Sequence, residues 1–153
     1  MNRWLRRALF VSGVVWTVPN TLLGLLVGLP ALALGARMRA GDGALVFLRC
    51  PYGPGGALTL GNVIVCTHDS LDGRCMSYAE RHRLCAPTGV TMRLGDHERA
   101  HVLQAMALGA LFLPLYLLCG GISPRNRFEQ AADRYALSGH GWWPWPRATE
   151  ASR

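Results

Sequence analysis

Residues 95–108 read GDHERAHVLQAMAL, an H-E-x-x-H pattern followed directly by apolar helical sequence. On a helix, residues four apart lie on the same face one turn from each other, so His97 and His101 can bind one zinc ion. Glu98 then lies beside a water molecule on the metal and can act as its general base. The pattern therefore predicts a zinc site that carries out hydrolysis.

A downstream segment offers candidates for the remaining ligand. Zinc in a catalytic site has three protein ligands and leaves its fourth position to water. Residues 127–136 read RFEQAADRYA and predict a helix. Glu129 and Asp133 share a face of that helix because they are four residues apart. His140, in a predicted loop, is an alternative ligand.

The two segments together resemble the gluzincin superfamily of metallopeptidases, in which H-E-x-x-H is followed by a helix that carries a ligand glutamate and, four residues on, an aspartate. The resemblance implies that His97, His101 and Glu129 are the zinc ligands and that Glu98 is the general base. It also implies that Asp133 orients one of the ligand histidines.

The resemblance covers about residues 94–136. It extends to small bacterial membrane-anchored members through Leu108-Gly109 and Phe112-Leu113-Pro114. The chain departs from the family at Arg99, where active members usually have an apolar residue, and at Asp96, just before the first histidine. Either Arg99 pairs with Asp96 or Asp96 is the N-cap of the helix, and both expectations leave the ligands intact.

The N-terminal region predicts a membrane anchor over residues 1–36. Its 29 residues from Ala8 to Ala36 carry no charge, and roughly 20 such residues suffice to span a bilayer. A cleaved signal peptide is the main alternative, but its apolar region would be only ~7–15 residues long. Pro19 and Pro30 predict a kinked helix, or a re-entrant hairpin around Pro19. The arginines before Ala8 favour a cytoplasmic N-terminus.

The composition agrees with membrane association. Half of the residues are apolar and 16% are charged, whereas about a quarter is charged in an average soluble protein. The net charge of +7 comes from arginine alone, since the chain has no lysine. The arginines neither cluster nor alternate with aromatic residues, so no nucleic-acid partner is expected.

The middle of the chain predicts a small β-sheet. Turn signals rich in glycine and proline separate β-prone runs at residues 44–48, 57–66 and 90–94. Residues 78–84 predict a helical turn. A sheet that leads into the H-E-x-x-H helix predicts an α+β fold.

The cysteines give no complete disulfide framework, because their number, five, is odd. Bridges among the first four are expected only if this region faces an oxidising compartment. A structural zinc site here is disfavoured, because the spacing lacks two tight ligand pairs. Its candidate ligands would be Cys66, His68, Cys75, His82 and Cys85.

Residues 105–122 are apolar enough to suggest a second span, and chain geometry tests that idea. A straight helix from His101 to Cys119 would climb about 27 Å. The residues up to Glu129 are too few to return that far. We therefore predict a break near Pro114, with Gly109 loosening the same turn and residues 105–122 associated with the membrane. Two plain spans without Glu129 as a ligand are the alternative.

The sequence thus predicts an anchor (residues 1–36), a zincin-like domain (37–137) and a tail rich in tryptophan and proline (138–153), which is expected to lie at the membrane interface. The expected function is a membrane-anchored zinc hydrolase, most simply a peptidase, in the bacterial inner membrane. Its expected partners are the lipid bilayer and a peptide or membrane-protein substrate. The alternative is a small integral membrane protein without catalysis.

Overall fold

The computed structural model describes residues 2–83, 85 and 88–145, apart from the side chain of Arg6. It shows a mixed α+β fold. The helices are α1 (Arg3–Trp16), α2 (Val18–Ala33), α3 (Tyr78–Arg81), α4 (Leu94–Leu108), α5 (Phe112–Leu118) and α6 (Arg127–Ser138), with a 3₁₀ turn at Gly109–Leu111. The strands are β1 (Arg37–Gly41), β2 (Ala44–Leu48), β3 (Ala57–Leu60), β4 (Val63–Cys66), β5 (Arg74–Met76) and β6 (Thr91–Arg93). The predicted tail is described only up to Trp145.

The main sheet has the strand order β1-β2-β4-β3. Strands β2 and β4 run parallel, whereas the two outer pairings are antiparallel. The single strand predicted over residues 57–66 is wrong, because β3 and β4 form a hairpin that turns at Gly61 and Asn62. Gly61 has φ of +63°, a conformation that glycine adopts at little cost.

A second, two-stranded sheet pairs β5 with β6. The strand predicted over residues 90–94 is confirmed as the shorter β6, which leads directly into α4. The helical turn predicted over residues 78–84 is found as α3, although Leu84 lies outside the described residues.

Helix α2 packs closely on the main sheet. A Cβ atom at Gly24 would come within 2.6 Å of Val63, and one at Gly28 within 2.4 Å of Phe47. Helix α1 meets α2 at a bend of 66° next to Thr17. Neither of these two helices passes as a membrane span alone, but the pair taken together is long and apolar enough to cross a membrane. Pro19 lies in the first turn of α2. Backbone N–H groups in the first turn have no acceptor within the helix, so proline, which lacks this group, is tolerated there.

The predicted break after the H-E-x-x-H helix exists, but its position was wrong. The chain departs from α-helical geometry at Gly109, with φ of +59° and ψ of −135°. Pro114 lies inside the first turn of α5, where proline is tolerated. The successive helical segments over Leu94–Leu118 form a stretch that is long and apolar enough to span a membrane by length and composition.

Asn126 fixes the return of the chain into α6. Its Oδ1 accepts a hydrogen bond from the Phe128 backbone N–H (3.0 Å), as an N-cap residue does. Its Nδ2 donates to the backbone carbonyls of Tyr116 (3.0 Å) and Gly121 (2.7 Å). One fully buried side chain therefore joins the end of α5, the turn and the start of α6.

Candidate metal centre

Helices α4 and α6 bring three potential metal ligands together. His97 Nε2 lies 3.0 Å from Glu129 Oε2 and 3.2 Å from His101 Nε2. His101 Nε2 lies 3.4 Å from the same Glu129 oxygen. At most 5% of each residue is exposed. This buried group could hold a metal ion.

The spacing of these three atoms fits a small tetrahedral ion. Metal–ligand bonds of about 2.0–2.1 Å at tetrahedral angles place neighbouring ligand atoms about 3.3 Å apart. The separations observed here are 3.0, 3.2 and 3.4 Å. The donor set of two imidazole nitrogens and one carboxylate oxygen is also one that zinc accepts in sites with an open fourth position.

Asp133 orients the first histidine. His97 Nδ1 lies 3.0 Å from Asp133 Oδ1, and Asp133 Oδ2 accepts a hydrogen bond of 2.7 Å from the Tyr78 backbone N–H. A carboxylate accepts but does not donate, so His97 Nδ1 carries the proton in this contact. His97 Nε2 is thereby the nitrogen whose lone pair becomes available to a metal ion when the ring is neutral.

Gln104 orients the second histidine in the same way, and sequence reasoning missed it. Its Nε2 donates to the backbone carbonyls of Phe128 (3.2 Å) and Trp142 (2.8 Å), which can only accept. Its Oε1 is therefore the atom that lies 2.8 Å from His101 Nδ1, and the imidazole must donate there. The available signal was a glutamine three residues after the second histidine, on the same face of α4.

Glu129 is held by both imidazoles and by a tyrosine. The Tyr116 hydroxyl donates a hydrogen bond to Glu129 Oε1, which leaves Oε2 facing the histidines. Burial alone would raise the pKa of the Glu129 carboxyl, but the imidazoles of His101 and His97 outweigh burial and hold that pKa well below its usual range. Glu129 is therefore a carboxylate at neutral pH. Tyr116 was not predicted to contribute to the site.

Glu98 lines the same pocket as the three potential ligands. It is 4% exposed, and its Oε2 accepts a hydrogen bond of 2.6 Å from the Thr59 hydroxyl on β3. The Thr59 hydroxyl also lies 3.4 Å from the Glu98 backbone carbonyl. A buried carboxylate held in one orientation beside two imidazoles is suited to exchange a proton with a group in the pocket.

The two departures from the family pattern lie outside this cluster. Arg99 is exposed, and α4 turns it away from the buried face that carries the histidines. The expected roles of Asp96 were wrong: the helix N-cap is Arg93, and Asp96 Oδ1 lies 3.3 Å from Arg93 Nη1. Arg93 also pairs with Asp42 (2.7 Å) and Asp72 (2.8 Å), so Asp96 belongs to a charge network at the start of α4.

The pocket has a volume of about 300 Å³, at the lower end of the range for small-ligand sites. Its lining includes the segment 54–59, Leu113 of α5 and Ile122, which follows α5. Cys75 and His82 also line it. Burial raises the pKa of the Cys75 thiol, so at neutral pH this sulfur is protonated and is not a ready metal ligand.

The other histidines and cysteines considered from sequence do not assemble. Within the described ranges, the only group of three or more side chains placed to hold an ion is His97, His101 and Glu129. The cysteines are free thiols, of which Cys50 and Cys66 are buried. His140 is exposed, and its Nδ1 lies 2.7 Å from the Ser138 carbonyl.

In comparisons with known proteins, no family model, no curated protein and no solved structure matches the chain.

Proposed function

We propose that the protein is a zinc-dependent hydrolase, in which His97, His101 and Glu129 bind the ion and Glu98 is the general base. The observation that carries the proposal is the mutual spacing of the three ligand atoms, 3.0 to 3.4 Å, in a pocket that Glu98 also lines. Zinc bound by these three residues would supply a water molecule with a pKa lowered toward neutrality and a Lewis acid for a carbonyl group.

The protein's own residues contribute proton transfer and orientation. Glu98 accepts the proton of the attacking water and then donates it to the leaving amine. The Thr59 hydroxyl bonds Glu98 Oε2 and so favours proton transfer through Oε1. Asp133 and Gln104 keep both Nδ1 atoms protonated, which directs both Nε2 lone pairs to the ion.

The wall of the pocket favours a peptide as the substrate. Strand β3 is at the end of the main sheet, with β4 as its only partner among the described strands. Its residues 57–59 line the pocket next to Glu98. An extended peptide can bind such an edge through backbone hydrogen bonds, which would place one of its carbonyl groups near the metal site.

A membrane location is the second part of the proposal. Apolar helices α1 and α2, and the apolar stretch that ends at Leu118, support attachment to a lipid bilayer. The resemblance to small bacterial membrane-anchored metallopeptidases favours the bacterial inner membrane, with a peptide or a membrane protein as the substrate. In this arrangement residues 1–36 act as the anchor and residues 37–137 as the zincin-like domain.

A protein without catalysis is the second candidate, and one observation favours it. Asp133, Glu129 and Gln104 give the two imidazoles a hydrogen-bonded network that could join α4 to α6 without an ion. In that case one imidazolium would stabilise the buried carboxylates. Chelation would then leave the protein's thermal stability unchanged.

Metal analysis of the protein purified without chelator tests the proposal. We expect about one zinc per chain, and a strong loss of zinc in the variants His97→Ala and Glu129→Gln. The variant Glu98→Gln should keep the zinc and lose hydrolysis of a peptide library. Arg99→Gln is the matched control, because Arg99 is the exposed neighbour of Glu98, and it should keep both. Protein without zinc, or a Glu98→Gln variant with full activity, would refute the proposal.

A further inference from the structure

A large apolar surface remains that the metal site does not explain. On α1, several large apolar side chains are more than half exposed: Trp4, Leu5, Leu9, Phe10, Val11, Val15 and Trp16. Soluble proteins rarely leave so many large apolar side chains together in water. We therefore expect this face of α1 to contact something other than water.

The apolar surface continues from α1 onto α5. The ring of Trp16 packs against Gly109, where an added Cβ would lie 2.2 Å from Nε1. Leu111, two residues further on, is 58% exposed. The exposed residues Leu117, Leu118 and Ile122 then follow. We call the outer face of α1 together with Leu111, Leu117, Leu118 and Ile122 the leaflet surface.

The geometry of the two N-terminal helices does not suit a plain transmembrane span. Helix α1 has 14 residues, a length of about 21 Å, whereas the hydrocarbon core is about 30 Å thick. Helix α2 cannot be surrounded by lipid, because Gly24 and Gly28 seat it on the main sheet. An apolar helix at the edge of a folded body fits a position within one leaflet.

The charged residues among the first 41 positions are all arginines. No acidic residue precedes Asp42, whereas arginines occur at positions 3, 6, 7, 37 and 39. Arg3 and Arg7 lie one turn apart at the start of α1, and both are exposed. Arginine on one side of an apolar helix complements anionic headgroups at the level where the helix lies.

The leaflet surface also reaches the pocket. Ile122 is 55% exposed and lines the pocket, and Leu113 of α5 lines it as well. A lipid surface against α5 would therefore border the opening next to the metal site. Substrates would then reach the site from the membrane interface.

We propose that the leaflet surface binds one leaflet of an anionic bilayer without crossing it, and that it presents the pocket to peptide segments lying at that interface. The substrate part of this inference rests on the proposed function, whereas the lipid part does not. Lipid binding is expected to be independent of bound zinc.

Vesicle flotation of the full chain tests the lipid part. Binding to vesicles of phosphatidylcholine with 30% phosphatidylglycerol should exceed binding to pure phosphatidylcholine by about tenfold or more at low salt. The double variant Trp4→Asp/Leu9→Asp should lose most of this binding while keeping its zinc. Val90→Asp is the control, because Val90 is exposed to nearly the same extent as Leu9 (53% against 56%) and lies next to β6, outside the leaflet surface. Equal binding of the double variant and the control would overturn the inference.

Thiol labelling from one side of sealed vesicles shows whether α1 and α2 lie within one leaflet or cross the bilayer. An added thiol (Asn2→Cys) and the exposed native Cys85 should react together with a membrane-impermeant maleimide, as read by peptide mass spectrometry. Reaction on opposite sides of the bilayer would show that α1 and α2 cross it. That result would overturn the leaflet position and leave the proposed hydrolase intact.

A matched pair of peptides tests the substrate part. A peptide with an N-terminal acyl chain, bound to anionic vesicles, should be cleaved at least about tenfold faster than the same peptide without the chain. The Trp4→Asp/Leu9→Asp variant should lose that preference and keep its rate on the free peptide. Equal rates on both peptides would overturn the substrate inference, whereas no cleavage of either would count against the proposed function.

Discussion

His101 Nδ1 lies 2.8 Å from Gln104 Oε1, and the amide nitrogen of Gln104 donates to the carbonyl of Trp142 at 2.8 Å. One fully buried glutamine thus connects a potential metal ligand with the segment that follows α6. The contact fixes the tautomer of His101, and through it the direction of the Nε2 lone pair.

Replacing Gln104 by alanine should therefore weaken zinc binding. The expected loss is about 10–100-fold in affinity, as for other residues that orient a metal ligand. Competition with a fluorescent zinc chelator measures it. Gln104→Glu restores an acceptor for His101 and should recover part of the affinity. If both variants bind zinc as the native protein does, Gln104 has no orienting role.

Asp133→Asn should also weaken zinc binding, because an amide can turn its NH₂ group toward His97 and disturb the tautomer. The Tyr78 N–H at 2.7 Å can still find the amide oxygen in that orientation. We expect a loss of about tenfold or more, measured by the same chelator competition. Gln130→Glu is a control on the exposed face of α6 and should leave the affinity unchanged.

Gly109→Ala should destabilise the fold by more than backbone strain alone. The backbone conformation of Gly109, with φ of +59° and ψ of −135°, costs a residue with a side chain about 1–3 kcal/mol, and the added methyl group would collide with Trp16. Gly35→Ala is the matched control, because Gly35 has φ of +96° and no atom within 4 Å of the added Cβ. Denaturant unfolding should show the larger loss at Gly109. Equal losses at both positions would argue against the contact with Trp16.

Asn126→Ala should lower the free energy of unfolding by about 1–3 kcal/mol, because it removes a helix cap and leaves buried backbone carbonyls without a donor. The same change should reduce zinc affinity, since Asn126 sets where α6 begins and hence where Glu129 lies. Thermal unfolding with and without chelator measures both effects. A variant that loses stability but keeps its zinc affinity would show that Glu129 is positioned by other contacts.

Zinc binding should weaken as the pH falls, and the loss should begin above about pH 6.5, the usual pKa of histidine. Burial alone would lower the pKa of His97 and His101, but the carboxylates beside them outweigh burial and raise it. Each imidazole must lose its extra proton before it can bind the metal. Chelator competition between about pH 5.5 and 8 measures this loss. If both histidines are ligands, the binding of each zinc ion should release close to two protons at the acidic end of this range. Affinity that is independent of pH in this range would exclude ligation by both histidines.

Part of the grouping of side chains was readable from the sequence, because α-helical spacing alone places His97 beside His101 and Glu129 beside Asp133. The break between the two helices was inferred from chain length, but its position was assigned to Pro114. Proline is tolerated in the first turn of a helix, whereas the backbone conformation at Gly109 is costly for other residues. The turn was therefore determined by glycine.

Other contacts could not be predicted, because they depend on the tertiary fold. Thr59 reaches Glu98 only once β3 has folded against α4, and Tyr116 reaches Glu129 only once the chain has turned back after α5. A single sequence carries no signal for such distant pairings. The hairpin over residues 57–66 is different, because Gly61-Asn62 is a two-residue turn signal between two β-prone halves, and that signal was overlooked.

X-ray absorption at the zinc edge of the purified protein tests whether His97, His101 and Glu129 bind zinc. We expect about one zinc per chain with only nitrogen and oxygen neighbours at about 2.0–2.1 Å, including the scattering pattern of two imidazoles. The outer-shell imidazole signal should fall by half in His101→Ala. A sulfur neighbour at about 2.3 Å, or the absence of bound zinc, would contradict the assignment of His97, His101 and Glu129 as the metal ligands.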